Sequence, residues 1–149
     1  MSDSDLVKLY SGRILELAAD IPHLGRLPGA QASVRKRAPL CGSTVTVDLS
    51  MQDGKVAAFA QDVKACALGQ AAAAVLGHAV LGRTPEDLAQ ARDALKAMLK
   101  DAGPVPPAPF DGFEVLTPAR DYKNRHASIL LALEAAAEAA AQATAAPSA

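Results

Sequence analysis

A chain of 149 residues, half of them apolar, has the material for one compact domain with a proper core. Fifteen basic against sixteen acidic residues leave a net charge of -1, and an aromatic share of 3% without Trp leaves little to stack on bases. These values argue against a nucleic-acid binder and against a protein held by charge to an anionic membrane.

Two cysteines are too few for a disulfide framework. The start carries Asp3 and Asp5 without a basic segment leading into an apolar one, so a secretory signal is not expected. The longest uncharged run, 65–82, is Ala-rich and contains Gln70, His78 and three glycines, too little apolar surface for a membrane span. The expectation is a soluble, cytoplasmic protein with reduced thiols: a single domain over 1–140 and a low-complexity Ala-rich tail over 141–149.

Leu6, Leu9, Tyr10, Ile14 and Leu17 recur at helical spacing and predict an amphipathic helix. It should stop near Asp20, because Pro22 disfavours helical geometry in the residue before it. A Pro- and Gly-containing loop follows over 22–30. Residues 32–38 read as a short basic edge strand, with Arg35, Lys36 and Arg37 as a solvated face. Over 43–49, Val45, Val47 and Leu49 alternate with Thr44, Thr46 and Asp48, the mark of a half-buried strand. A third strand over 55–63 is joined to it by Gln52-Asp53-Gly54, a hairpin signal.

From Cys66 the pattern turns helical. Residues 66–81 are apolar nearly all round and predict a buried helix, with Gly82 to cap it. Thr84-Pro85-Glu86-Asp87 opens another helix, whose inward stripe is Leu88, Ala91, Leu95 and Leu99. Four prolines over 103–109 make a rigid linker, and a turn over 111–116 leads into a last helix from about Ala119. Ile129, Leu130 and Leu133 anchor that helix, and it should fray beyond Ala139. The fold class is α+β: a helix, a three-stranded antiparallel sheet, and helices covering one face.

Two thiols stand out. Cys66 lies where a strand gives way to a helix, whose N-terminus favours negative charge on a group held there. Cys41 sits in a Pro39-Leu40-Cys41-Gly42-Ser43 turn that exposes its sulfur. Either could equally be a small buried hydrophobe or an idle turn residue. The hairpin they bracket runs out from one and back to the other, so antiparallel pairing brings both to one end of the sheet. His126, near the start of the last helix, is the candidate third ligand; His23 and His78 are weaker ones.

In this order the features resemble scaffolds of the IscU/SufU/NifU N-terminal type in iron–sulfur cluster assembly. Pro22 to Gly25 looks like the family loop and Pro39-Leu40-Cys41-Gly42 like its first cysteine motif. Ala65-Cys66-Ala67-Leu68-Gly69-Gln70-Ala71 looks like its second, and Arg125-His126-Ala127-Ser128-Ile129-Leu130 like its last. The resemblance implies a site of three thiolates and a carboxylate that nucleates a [2Fe–2S] cluster or holds Zn²⁺. It also implies a cysteine desulfurase and cluster-acceptor proteins as partners. Here Ser43 stands where the family has Asp, and Ala127 where it has its third Cys, the one that takes sulfur from the desulfurase.

Cys41 and Cys66, with His126 beside the missing thiol, are therefore expected to bind iron, zinc or a labile [2Fe–2S] cluster, in one chain or a homodimer. The rival is a metal-free regulatory module that keeps only the partner-docking surface. A sulfur transferase carrying persulfide on Cys66 ranks last, and no enzyme activity is expected.

Overall fold

The computed structural model describes residues 11–145. Helix α1 spans Gly12–Ala19; Ser11 caps it by accepting from the Ile14 amide, and Ile14 and Leu17 face inward. The earlier part of the expected opening helix, with Leu6, Leu9 and Tyr10, lies outside the described residues. Strands β1 (Ala32–Ala38), β2 (Ser43–Gln52) and β3 (Lys55–Lys64) form one antiparallel sheet in the order β1-β2-β3. Helices α2 (Ala67–Ala79) and α3 (Pro85–Lys100), a 3-10 helix (Asp111–Asp121) and α4 (Lys123–Ala145) complete the α+β fold.

The hairpin forms as its turn residues dictate. Asp53 and Gly54 both take positive φ, 54° and 77°, between the paired Gln52 and Lys55. Such a mirror-image turn matches the twist of the strands it joins. On β2, Val45, Val47 and Leu49 are buried. What covers them is the last helix: α4 packs on β1 and β2, while α2 and α3 pack on α4 and α1 on α2. A helix surrounded on several sides must be apolar around most of its circumference. The Ala-rich composition of α4 meets that need and allows close approach.

Several sequence expectations change for reasons visible in the packing. The last helix starts at Lys123 rather than near Ala119, because 111–121 is taken up by the 3-10 helix. It does not fray beyond Ala139 but continues to Ala145, burying Ala140 and Ala143. Gly82 takes a positive φ of 83° yet caps no helix; α2 ends at Ala79, and the Gly82 amide donates to the Val56 carbonyl. In the basic run, only Arg35 and Arg37 are exposed, while Lys36 pairs with Glu138 of α4 at 3.0 Å. The start of α3 is as expected, with Thr84 and Asp87 forming a reciprocal capping box behind Pro85.

Asp48, expected on the solvent face, is buried beneath the loop that precedes β1. Its carboxylate accepts from Arg26 at 2.7 and 3.2 Å, from the Ser33 hydroxyl at 2.6 Å and from the Leu27 amide at 3.0 Å. Burial alone would raise its pKa; these donors and the Arg26 charge reverse that and bring it down to about 2. The same loop is pinned to β3, where the Gly25 amide donates to the Gln61 carbonyl and the Gln61 amide to the His23 carbonyl. No helix among the described residues is long and apolar enough to cross a membrane.

Candidate functional site

Cys41 occupies the turn between β1 and β2. The turn closes through the Gly42 amide donating to the Ala38 carbonyl at 2.8 Å, with Gly42 at φ 71°. That left-handed backbone suits glycine, and it presents Cys41 at the surface edge beside Leu40, which is 88% exposed. Cys66 is the N-cap of α2 and makes no side-chain capping bond, so its sulfur is free to face the sheet end. Both cysteines are half-buried and unpaired.

Two serines connect them. The Cys41 Sγ lies 3.5 Å from the Ser43 Oγ, which lies 2.8 Å from the Ser128 Oγ, which in turn lies 3.5 Å from the Cys66 Sγ. Both serines are buried, at 3% and 2% exposure. The hairpin thus brings the two sulfurs to one end of the sheet, as the sequence suggested, and α4 supplies the hydroxyl between them.

The Cys41 thiol donates to the Ser43 hydroxyl, while in the Ser43–Ser128 and Ser128–Cys66 contacts either group can be the donor. Hydrogen bonds that the Ser43 side chain and backbone, and then Ser128, can give to the ionised sulfur lower the Cys41 pKa from the ordinary thiol value against the opposing effect of burial.

The serine bridge depends on Gly69 of α2. A Cβ there would fall 2.6 Å from the Ser128 Oγ and 2.8 Å from the Ala65 Cβ. Glycine at this position lets α2 and α4 approach closely enough for Ser128 to reach Cys66.

His126 is not brought to the thiols. It is buried, and its Nε2 is engaged by the carbonyls of Ala119 at 2.9 Å and Arg120 at 3.1 Å, at the end of the 3-10 helix. Successive helical residues are rotated by about 100°, so residues 126 and 128 face different neighbours. Ser128 takes the place at the site that the sequence reading gave to His126, while Ala127 is exposed. Of the weaker candidates, His23 is exposed and edge-on to Phe59, and His78 is exposed in the last turn of α2. Among the described residues no group of three or more His, Cys, Asp or Glu gathers as a metal site.

On the outer face of the sheet, next to the thiol end, Arg26, Ser33, Arg35, Thr44, Asp62 and Lys64 contribute to a polar cavity of about 390 Å³.

The fold is that of a cluster-assembly scaffold domain, and comparison with solved structures makes the relationship specific. The chain is 45% identical to a nitrogen-fixing NifU-like protein (N-terminal) from Brucella abortus, with a TM-score of 0.91, 94% of this chain and 97% of that chain covered. The chain belongs to the NifU-like family, the IscU/NifU type of iron–sulfur cluster assembly scaffold. The same fold recurs, at 18% identity and a TM-score of 0.79, in a SUF-system iron–sulfur cluster assembly scaffold protein from Fervidobacterium islandicum AW-1, over 90% of this chain and 98% of that one. A third structure, described as a hypothetical protein, shares it at 24% identity and a TM-score of 0.77, over 91% and 98% of the two chains. No family model and no curated protein matches the chain.

Proposed function

We propose that the protein works in iron–sulfur cluster assembly as a scaffold-like carrier that holds iron, zinc or a labile [2Fe–2S] cluster through Cys41 and Cys66. The observation that carries this reading is the convergence of the two cysteines on the Ser43–Ser128 pair, whose hydroxyls lower the Cys41 pKa. Thiolates suit zinc and iron–sulfur clusters, and half-burial leaves the sulfurs within reach of an incoming ion. Metal and cluster are cargo in this reading, and the role is binding rather than turnover. Cys41→Ala and Cys66→Ala should each abolish binding of iron or zinc. Unchanged stoichiometry in both variants would sink the proposal.

A second reading is a docking module that engages a cysteine desulfurase or another assembly partner without metal. It is favoured by Leu40, exposed beside the thiol, and by Arg35, Arg37 and Lys64, which expose positive charge on the adjoining sheet face. Binding to a desulfurase that ignores a Cys41→Ala/Cys66→Ala double substitution would support it over the first.

A further inference from the structure

We infer that Cys41 and Cys66 are an oxidative modification site: a small peroxide joins them in a reversible intramolecular disulfide, which withdraws both sulfurs from any cargo ion at once. The disulfide itself is independent of the metal-carrying reading above; only its consequence for cargo rests on that reading.

The two cysteines are neighbours by backbone and by side chain. The β2–β3 ladder ends at the Thr44–Lys64 pair, so Cys41 lies three residues before it on one side and Cys66 two residues after it on the other. Chains leaving an antiparallel ladder this close to its last pair stay near the α-carbon spacing of roughly 4.4–6.8 Å that a disulfide spans. The Ser128 hydroxyl contacts the Cys66 sulfur at 3.5 Å and also hydrogen-bonds to Cys41, so one oxygen serves both sulfurs. Neither sulfur is locked in place: Cys66 makes no capping bond, and Cys41 sits in a turn beside Gly42 at φ 71°. When the sulfurs turn towards each other, Ser43 and Ser128 keep their own 2.8 Å bond, so no buried hydroxyl is orphaned.

The make-up of the site favours this bond. The groups between the sulfurs are neutral hydroxyls, and among the described residues no third His, Cys, Asp or Glu joins the pair. No carboxylate therefore opposes the approach of one ionised sulfur to the other. The chain has two cysteines in all, so no third thiol can intercept the first oxidised sulfur or reshuffle the bond. Both cysteines are half-buried, which admits a molecule of peroxide size. One thiol takes an oxygen from hydrogen peroxide, giving a sulfenic acid and water. The second thiol attacks that sulfur, expels its hydroxyl as another water, and closes the disulfide. The sulfurs give up two electrons in total, and the two peroxide oxygens leave as two waters. A dithiol reductant reverses the bond by exchange and leaves as its own disulfide.

The test treats the reduced, metal-free full chain with equimolar hydrogen peroxide, followed by thiol counting in denaturant, non-reducing electrophoresis and peptide mass mapping. Both thiols should disappear together, in a monomer whose digest contains a peptide linking Cys41 to Cys66, and dithiothreitol should restore both. Cys41→Ser and Cys66→Ser should each stop at a sulfenic acid that dimedone traps. Crosslinked dimers, over-oxidation to sulfinic acid, or two surviving thiols in the wild-type chain would overturn the inference. Zinc uptake by the reduced and the oxidised chain, read by equilibrium dialysis, tests the consequence. The disulfide form should lose at least about tenfold in affinity and regain it on reduction. Undiminished uptake by a verified disulfide form overturns the withdrawal of the sulfurs. A chain that crosslinks but binds no zinc or iron in either state refutes the carrier reading and leaves the disulfide standing.

Discussion

Ser43 and Ser128, 85 residues apart in sequence, hold their hydroxyl oxygens 2.8 Å apart in a buried contact between the two thiols. One begins a strand and the other lies in the final helix, so the contact exists only when the sheet and α4 are docked. It ties the reactivity of Cys41 to the integrity of the fold.

That link has a measurable consequence at Cys41. Ser43 donates to its thiolate and lowers its pKa, so Cys41 should be alkylated by iodoacetamide with a pH midpoint below that of an ordinary cysteine. Ser43→Ala should move the midpoint upward, because the largest stabilising contact is gone. A midpoint that ignores the substitution would separate the thiolate from the serine row.

Gly69→Ala should damage the site through packing. The added methyl would fall 2.6 Å from the Ser128 Oγ and 2.8 Å from the Ala65 Cβ, so either the Ser128 hydroxyl turns out of the row or α2 moves away from α4. A cost of about 1–3 kcal/mol is expected for overpacking of this kind, read by chemical denaturation. The same variant should lose part of the Cys41 pKa shift, since Ser128 is displaced from the row.

Asp48 predicts an acid limb of stability. Its carboxyl is held at about 2, below the ordinary 3.8. A depressed carboxyl stabilises the fold fully above about pH 4, and the contribution is lost as pH falls through about 2. Asp48→Asn should therefore cost on the order of 2 kcal/mol at neutral pH and progressively less towards pH 2. Urea midpoints of both proteins across that range check this. A constant gap between them would contradict the ion-pair account.

The strands were legible in the sequence because alternation and an Asp-Gly turn are local signals: β1 begins at Ala32 and ends at Ala38, as read. The cysteines were legible for a similar reason, since a Pro-Gly turn and a strand-to-helix junction mark where a side chain will sit. The serines were not. A hydroxyl acquires a role only from what the tertiary fold places beside it, and nothing local separates Ser128 from any helical serine. His126 was read from sequence alone, by its closeness to the family's third cysteine position; in the fold its Nε2 lies against the carbonyls of Ala119 and Arg120, a placement set by helical rotation that nothing local announces. The burial of Asp48 escaped detection because its cover, Arg26 and Leu27, comes from a loop 21 and 22 residues away.

The most direct test of the central claim is the metal and acid-labile sulfide content of protein purified without oxygen, compared with the Cys41→Ala/Cys66→Ala double variant. The account predicts bound zinc or iron in the wild-type protein, before or after reconstitution, and its loss from the double variant. Wild-type protein that takes up no metal, even when supplied with iron, sulfide and zinc, would contradict it.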